Sequence, residues 1–517
     1  MNIGDKKIRR VAIIGGGSAG WITAAALSRS LQGDCSITLV ESDEIGTVGV
    51  GEATVPPFRL FNRSLGIDEN ELLKSTQGTI KLAIQFNDWT RMGHSYFHPF
   101  GQFGMNFDIV PFEYYWMQAH RKGKAAELDE YCMASMAARE NRFQQPSADP
   151  RLIQSTYDYA YHIDAGLYAK FLRTRSEGVG VKRVEGRVVD VSLDGENGFI
   201  ESVRLEDGQE ISADLFVDCS GFQGLLIEGA LKAGYEDWSS WLPCDRAVAI
   251  PCELGGEFTP YTQSTALEAG WQWRIPLQHR IGNGHVYCSQ HVSDDEATAR
   301  LMGNLDGKAL ADPNLLRFTT GRRKKFWHKN CVAIGLSAGF MEPLESTSLH
   351  LIQTAVGRLL AMFPDRDFGQ FNVDEYNRLT RAEYEWVRDF LILHYHATER
   401  DDTGFWRECA SMSIPDELRY RMDKYKALGH VGATAGMELF SKPSWLAVMV
   451  GQMGLPDNDA PILEHRTAID AENPLAELHS ITKEAALGMR THRKYIQRNC
   501  RAEPAMLGSH GSLTGPI

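Results

Sequence analysis

The chain is short of positive charge: 54 Lys and Arg face 67 Asp and Glu, a net charge of −13 over 517 residues. Without a basic surplus to neutralise phosphates, neither nucleic acid nor an anionic membrane is expected as a partner. Paired cysteines are missing too. Nine are scattered from Cys35 to Cys500 with no Cys-x-x-Cys spacing, which fits a reduced cytoplasmic chain better than a disulfide framework or a zinc site. His94 with His98 and His394 with His396 are closely spaced, but no carboxylate or cysteine completes a ligand set, so no metal is expected. Long apolar runs are also absent. Residues 11–27, behind Lys6, Lys7, Arg9 and Arg10, imitate a signal peptide, yet four glycines interrupt them and a second strand pattern follows; a βαβ unit explains both. No repeat, low-complexity segment or membrane span stands out.

With 43% hydrophobic and 23% charged residues, the composition is that of a globular protein, and the length predicts two or three domains. Residues 10–14 read as a buried strand, 15–20 as a turn, 21–31 as a helix and 37–41 as the next strand. Over residues 78–89 Ile80, Leu82, Ile84 and Phe86 alternate, which places Lys81 on the opposite face. Residues 94–150 are aromatic, Met-rich and partly helical. Residues 181–206 read as antiparallel strands with a turn at 194–198. A strand ends at Asp218, another covers 331–334, and a helix over 348–363 stops at Pro364. Beyond about residue 375 the pattern is helical, and the end of the chain is a loose tail.

The turn Gly15-Gly16-Gly17-Ser18-Ala19-Gly20 fits Gly-x-Gly-x-x-Gly between strand and helix, where backbone amides can approach a pyrophosphate. Glu41, at the end of the next strand, is placed to accept hydrogen bonds from a ribose. These features predict a dinucleotide. Trp271 and Trp273, in Trp271-Gln272-Trp273-Arg274-Ile275-Pro276, share one face of a strand that Pro276 ends. As residues alone they read as core; two such rings could also wall off a cavity.

Taken together, the motifs resemble those of flavin-dependent halogenases of the tryptophan halogenase family, over residues 8–455. The resembling segments are the glycine turn, Gly49-Val50-Gly51-Glu52-Ala53-Thr54-Val55-Pro56, Thr79-Ile80-Lys81-Leu82-Ala83-Ile84, Trp271 to Pro276, and Phe340-Met341-Glu342-Pro343-Leu344-Glu345-Ser346-Thr347-Ser348. The resemblance implies an α/β fold of the flavoprotein monooxygenase type. A Rossmann-type FAD-binding module would span residues 1–97 and 156–385, an interleaved, mainly helical substrate module 98–155 and 386–505, and a flexible tail 506–517. FAD is favoured over NAD because 216–222 and 333–339 resemble later flavin-contacting segments. The implied FAD contacts are Gly15, Gly17, Ser18, Ala19, Gly20, Glu41, Val188, Asp218, Gly335 and Leu344, with Gly49, Gly51, Glu52, Ala53 and Thr54 in a strap over the flavin.

In the family, reduced FAD and oxygen give a flavin hydroperoxide, halide attacks it, and hypohalous acid crosses the protein to an aromatic substrate. By resemblance Lys81 is the catalytic lysine, either hydrogen-bonding the hypohalous oxygen or forming a haloamine. Glu345 is the catalytic carboxylate, orienting the electrophile, stabilising the cationic intermediate or taking its proton; Glu342 is structural. Thr347 and Ser348, at a helix N-terminus, would hold chloride or bromide, although they could equally be an ordinary N-cap. Ser348 stands where well-known members carry glycine, which predicts better use of bromide than chloride. His98 and Phe100 match residues that sandwich an indole. Trp271, Trp273, Ile275 and Pro276 become the tunnel wall.

The free-tryptophan-gripping tyrosines and glutamate are not recognisable in residues 437–447. Phe440 replaces a pocket tryptophan and Trp445 lines the mouth, so an open pocket for indole or a larger indole derivative is expected. No second nucleotide fingerprint is present, which implies FADH2 delivered by diffusion from a separate reductase; a homodimer is compatible. The rival readings are a flavin-dependent aromatic hydroxylase and a non-catalytic flavin-binding redox regulator. An NAD-linked dehydrogenase lacks support.

Overall fold

The glycine turn opens a six-stranded sheet in the order Trp327–His328, Cys331–Ala333, Leu215–Asp218, Arg10–Ile14, Ser36–Glu41, Lys182–Glu185. The computed structural model describes residues 6–31, 33–43, 51–432, 436, 438–466 and 470–503. All neighbours in this sheet run parallel except the first pair. Leu215–Asp218 is wholly buried, as expected of parallel strands covered on both faces. The helix Ser18–Leu31 begins three residues before the predicted start, because Trp21 N–H already bonds Gly17 O at 3.1 Å. The turn's last glycine therefore lies inside the first helical turn. Of the strands predicted over 181–206, Lys182–Glu185 joins the parallel sheet. Val188–Leu193 and Ile200–Leu205 form the expected hairpin.

A second sheet of seven strands, Asn314–Arg317, Arg246–Cys252, Ile281–Tyr287, Gly270–Pro276, Tyr261–Leu267, Ala83–Asn87 and Ser95–Pro99, carries the tryptophan pair at its centre. A third, of three strands, places Ala160–Asp164 between Gly51–Ala53 and Thr79–Lys81. The segment read as one alternating strand is thus two. The break is at Leu82, whose N–H goes to Pro260 O and whose carbonyl accepts from Phe100 N–H. Both halves are buried, so Lys81 does not reach solvent on the far face.

The expected module boundaries cut regular elements. The cut at 97/98 falls within Ser95–Pro99, which pairs along its full length with Ala83–Asn87. The cut at 385/386 falls inside the unbroken helix Gln370–His396. One apolar cluster includes Val11, Trp271, His98's neighbour Phe97 and Ile496, so the substrate-side helices share a core with the nucleotide module. The tail 506–517 lies outside the described residues. Among the described residues no helix is long and apolar enough to cross a membrane, and no group of three His, Cys, Asp or Glu is arranged to hold a metal ion.

The tryptophan strand is packed tightly at its neighbour. Trp273 pairs with Gly284, and a Cβ added there would stand 2.0 Å from the indole ring. Gly284→Ala is expected to destabilise the protein by about 1–3 kcal/mol in urea unfolding, through overpacking. Adding Trp273→Leu should recover part of that loss; an unchanged midpoint in the single variant would show a loosely held ring.

Candidate active site

The nucleotide cradle forms where the ends of three parallel strands meet. Gly15 (φ +114°) sits so close to the neighbouring strand that a Cβ would lie 2.1 Å from Cys219 O. Gly17, by contrast, has no heavy atom within 4 Å of where a Cβ would stand, leaving open space at the N-terminus of Ser18–Leu31, where a pyrophosphate belongs. Gly335 (φ +82°) approaches the same turn, with Ala19 Cβ 2.7 Å from where its own Cβ would be. The three segments assigned to the dinucleotide therefore converge, and the cradle fits one. Glu41 lies beside this turn, accepting from Arg173, Arg183 and Trp21. Asp218 is turned inward. Its carboxylate accepts from the backbone N–H groups of Ser220, Leu226 and Ile227 at 2.8–3.0 Å, so it shapes the crevice from behind. Val188 begins the hairpin strand at the crevice's rim, and Leu344 is buried in the turn before the helix Ser348–Ala361. Gly49 lies outside the described residues.

Lys81 is fully buried. Its Nζ donates to Thr54 O at 3.0 Å and to Ser346 Oγ at 2.8 Å, and lies 5.0 Å from the Phe100 ring centroid. Burial lowers its pKa to about 7, with the charge of Glu345 acting in the opposite direction. The strap and the lysine thus meet, since Thr54 follows Gly51–Ala53 directly. Behind the lysine, Thr79 Oγ donates to Pro276 O (2.7 Å), fixing the lysine strand to the tryptophan strand. His492 Nε2 accepts from Ile80 N–H (3.1 Å), so a residue near the C-terminus pins the same strand; sequence spacing holds no sign of that contact.

Glu345 is buried next to Ser346, and its contacts lead elsewhere. His98 Nδ1 lies 3.0 and 2.9 Å from its two oxygens, and His394 Nε2 lies 3.0 Å from Oε1, within ion-pair range though off hydrogen-bond geometry. Burial alone would raise the carboxyl; the charge of His98 and the contacts with both imidazoles outweigh it and hold the pKa at about 2. Lysine and glutamate are therefore not a direct ion pair, and are joined through the Ser346 backbone. One histidine of each pair weighed for a metal meets at this carboxylate. Ser346 has φ +61°, a left-handed kink uncommon for a residue other than glycine. It separates the short turn Pro343–Glu345 from the helix Ser348–Ala361. The ordinary N-cap expected here is not formed: Thr347 makes no side-chain cap bond, and its buried Oγ has no protein partner among the described residues.

The other acid of the block, Glu342, accepts from Trp271 Nε1 (2.5 Å) and Tyr395 OH (2.6 Å). Burial pushes it up to about 7, partly offset by these two donors. Trp271 and Trp273 do share a face, with centroids 6.0 Å apart. Ile275 packs on Gly51, and Pro276 is the last paired residue of its strand. On the substrate side, His98 and Phe100 are not parallel plates. Their centroids are 6.5 Å apart and their planes inclined by 67°. Instead Phe390, which the sequence did not single out, stacks on Phe440 (3.9 Å, 18°) and meets Trp445 edge-on (4.9 Å). Phe390 and His394 are one helical turn apart on Gln370–His396, an i,i+4 pair that places both on one face. Trp445 is 2% exposed beneath the Arg421 guanidinium, which Glu438 pairs. The ring expected to line a pocket mouth is thus buried.

The lowered lysine pKa fixes a pH dependence. Between about pH 7 and 10.5 the unfolded chain binds a proton at this residue that the folded chain does not, so its contribution to stability rises with pH across that window. Lys81→Met removes this term. The variant is expected to gain stability relative to wild type below pH 7, on the order of a few kcal/mol, and the gain should vanish towards pH 10. A gain independent of pH, measured by urea unfolding, would contradict a buried, proton-poor lysine.

Comparison with known proteins agrees with this geometry. The sequence profile for tryptophan halogenase matches residues 10–468. The tryptophan 6-halogenase SttH of Streptomyces toxytricini is 39% identical over 443 residues, covering 81% of this chain and 84% of that protein. Among solved structures, the flavin-dependent halogenase Xcc4156 from Xanthomonas campestris superposes with a TM-score of 0.93 at 45% identity, covering 96% of this chain and all of that one. BrvH, a flavin-dependent halogenase from Brevundimonas sp. BAL3, gives 0.90 at 44%, covering 95% and 99%. A nucleotide cradle, a buried lysine beside a buried glutamate, and likeness along nearly the whole chain place this protein in the tryptophan halogenase family of flavin-dependent enzymes.

Proposed function

We propose that this enzyme brominates or chlorinates an electron-rich aromatic of the indole class, with hypohalous acid guided by Lys81. The observation that carries the reading is the lysine's hydrogen bonding. An ammonium has three donors; Thr54 O and Ser346 Oγ take two, and the third is left to polarise a hypohalous oxygen. FAD, reduced by a separate reductase, would supply with oxygen the oxidation of halide. Gly15, Gly17, Ser18, Ala19, Gly20 and Gly335 would hold it, with Glu41 and the strap residues Gly51 to Thr54 around it. The unpartnered Thr347 hydroxyl and the first backbone N–H groups of Ser348–Ala361 suit a halide, because a buried polar atom without a protein partner calls for a ligand or water.

The rings of Phe100, Phe390, Phe440 and Trp445 favour a flat aromatic substrate. Of the buried carboxylates beside them, Glu345 is engaged by His98 and Glu438 by Arg421. A free amino acid's ammonium group therefore finds no ready counter-ion there. The test combines the protein with a flavin reductase, NADH, FAD, oxygen and halide, followed by mass spectrometry. Indole should be halogenated faster than free tryptophan, and Lys81→Ala should lose roughly three orders of magnitude of product or more, the scale of a positioned electrostatic group. Faster turnover of tryptophan would refute the substrate class, and a halogenating Lys81→Ala would refute the mechanism. With equal bromide and chloride, brominated product should dominate; a chloride preference would remove the role given to Ser348.

A further inference from the structure

We propose that His98, backed by Glu345, is the base that removes the ring proton of the halogenated intermediate; this rests on the halogenase reading above. Three observations point to it. First, the Glu345 carboxylate is enclosed by imidazoles: both oxygens face His98 Nδ1, and Oε1 also faces His394 Nε2. A carboxylate whose oxygens are both taken up by imidazoles is poorly placed to accept a further proton. Second, with the carboxylate ionised, His98 Nδ1 must be the donor to it, which in the neutral ring leaves the Nε2 lone pair uncommitted. Nε2 is indeed a buried atom with no hydrogen-bond partner among the described residues, in a side chain 2% exposed. Third, His98 is inclined to each of the surrounding rings, by 67° to Phe100, 62° to Phe390 and 54° to Phe440. The imidazole therefore lies flat against none of them, and an aromatic substrate among these rings can meet its edge.

The step balances without further reagents. Ring π electrons form the C–X bond as the O–X bond of HO–X breaks, and the departing hydroxide takes a proton from the Lys81 ammonium to become water. The ring carbon then gives its proton to His98 Nε2, and the C–H electron pair restores aromaticity. Glu345 stabilises the imidazolium so formed, as a carboxylate behind a histidine does in other general-base dyads. Proton return from the imidazolium to the Lys81 amine through water resets the site, and the sum is Ar–H + HO–X → Ar–X + H2O.

His98→Phe tests this, because it keeps an aromatic ring of similar bulk and deletes the base. FAD affinity and melting temperature serve as its folding check, and His98→Gln is the second variant should phenylalanine not fold. With indole and bromide, single-turnover product formation should fall by about 10²-fold or more, the range for a general base. Indole deuterated at every ring carbon should show no isotope effect in wild type and a primary one in the variant. His98→Gly should recover activity with added imidazole. In the flavin-free protein, 15N-histidine NMR should show His98 protonated on Nδ1 and bare on Nε2. Full activity in His98→Phe without an isotope effect, or a proton resident on Nε2 at neutral pH, would overturn the proposal. Either result in a wild type that still halogenates indole removes only this inference. A wild type that halogenates no aromatic removes the functional reading beneath it.

Discussion

Two adjacent residues, Glu345 and Ser346, hold the site together. The left-handed kink at Ser346 ends the short turn that carries the acid and starts the helix that carries Thr347 and Ser348. Ser346 Oγ accepts from the buried lysine, while Glu345 is taken up by His98 and His394. One peptide bond thus links the lysine, the carboxylate and the anion-facing helix end. A shift of the helix, to which Gly335 and Ala19 of the nucleotide cradle lie close, cannot leave the lysine or the acid in place. The strap reaches the same lysine from the other side through Thr54 O, so both cofactor-facing segments bear on one ammonium group.

The two acids of the Glu342-Pro343-Leu344-Glu345 block show how environment divides a repeated residue. Both are buried, and burial alone raises both. Glu342 meets an indole N–H and a phenol O–H, neutral donors that only partly offset desolvation, and it stays near 7. Glu345 meets two imidazoles whose charge reverses the sign. Carboxylates pushed apart in this way serve different ends. The first anchors Trp271; the second keeps a carboxylate against His98. Because only Pro343 and Leu344 separate them, the contact with Trp271 and the contact with His98 share one short piece of backbone.

Sequence made the local features legible and left the long-range partners out of reach. The glycine turn, the same-face tryptophans, the 194–198 hairpin and the helix ending before Pro364 follow from periodicity and backbone chemistry within a few residues. The break at Leu82 does not, since it depends on Pro260 and Phe100, which are distant in the chain. The same holds for His492 on Ile80 and for His394 on Glu345; nothing in the spacing of two histidines says that they will meet a carboxylate from another element. The mutual inclination of His98 and Phe100 is out of reach for a related reason. Two residues at i and i+2 share a face of a strand, but the inclination of their rings is set by what packs behind them, here Phe390 and Phe440. The module boundaries implied by the resemblance fall inside regular elements: the fold runs a strand and a 27-residue helix straight across them.

That helix has a mechanical consequence. Gln370–His396 carries Glu383, which binds His350 and Arg358 of the helix Ser348–Ala361, and four turns or fewer later it carries Phe390, His394 and Tyr395. It therefore touches the helix Ser348–Ala361, the Phe440 and Trp445 rings, Glu345 and, through Tyr395 and Glu342, Trp271. Burying polar groups costs stability unless they are paired, and Glu383, His394 and Tyr395 of this helix each meet a residue of another element. Two of the buried atoms without a protein partner among the described residues, Thr347 Oγ and His98 Nε2, lie where halide and substrate are proposed to bind. Both are tied to the Glu345-Ser346-Thr347 stretch, one by sequence and the other through the carboxylate that meets His98 Nδ1.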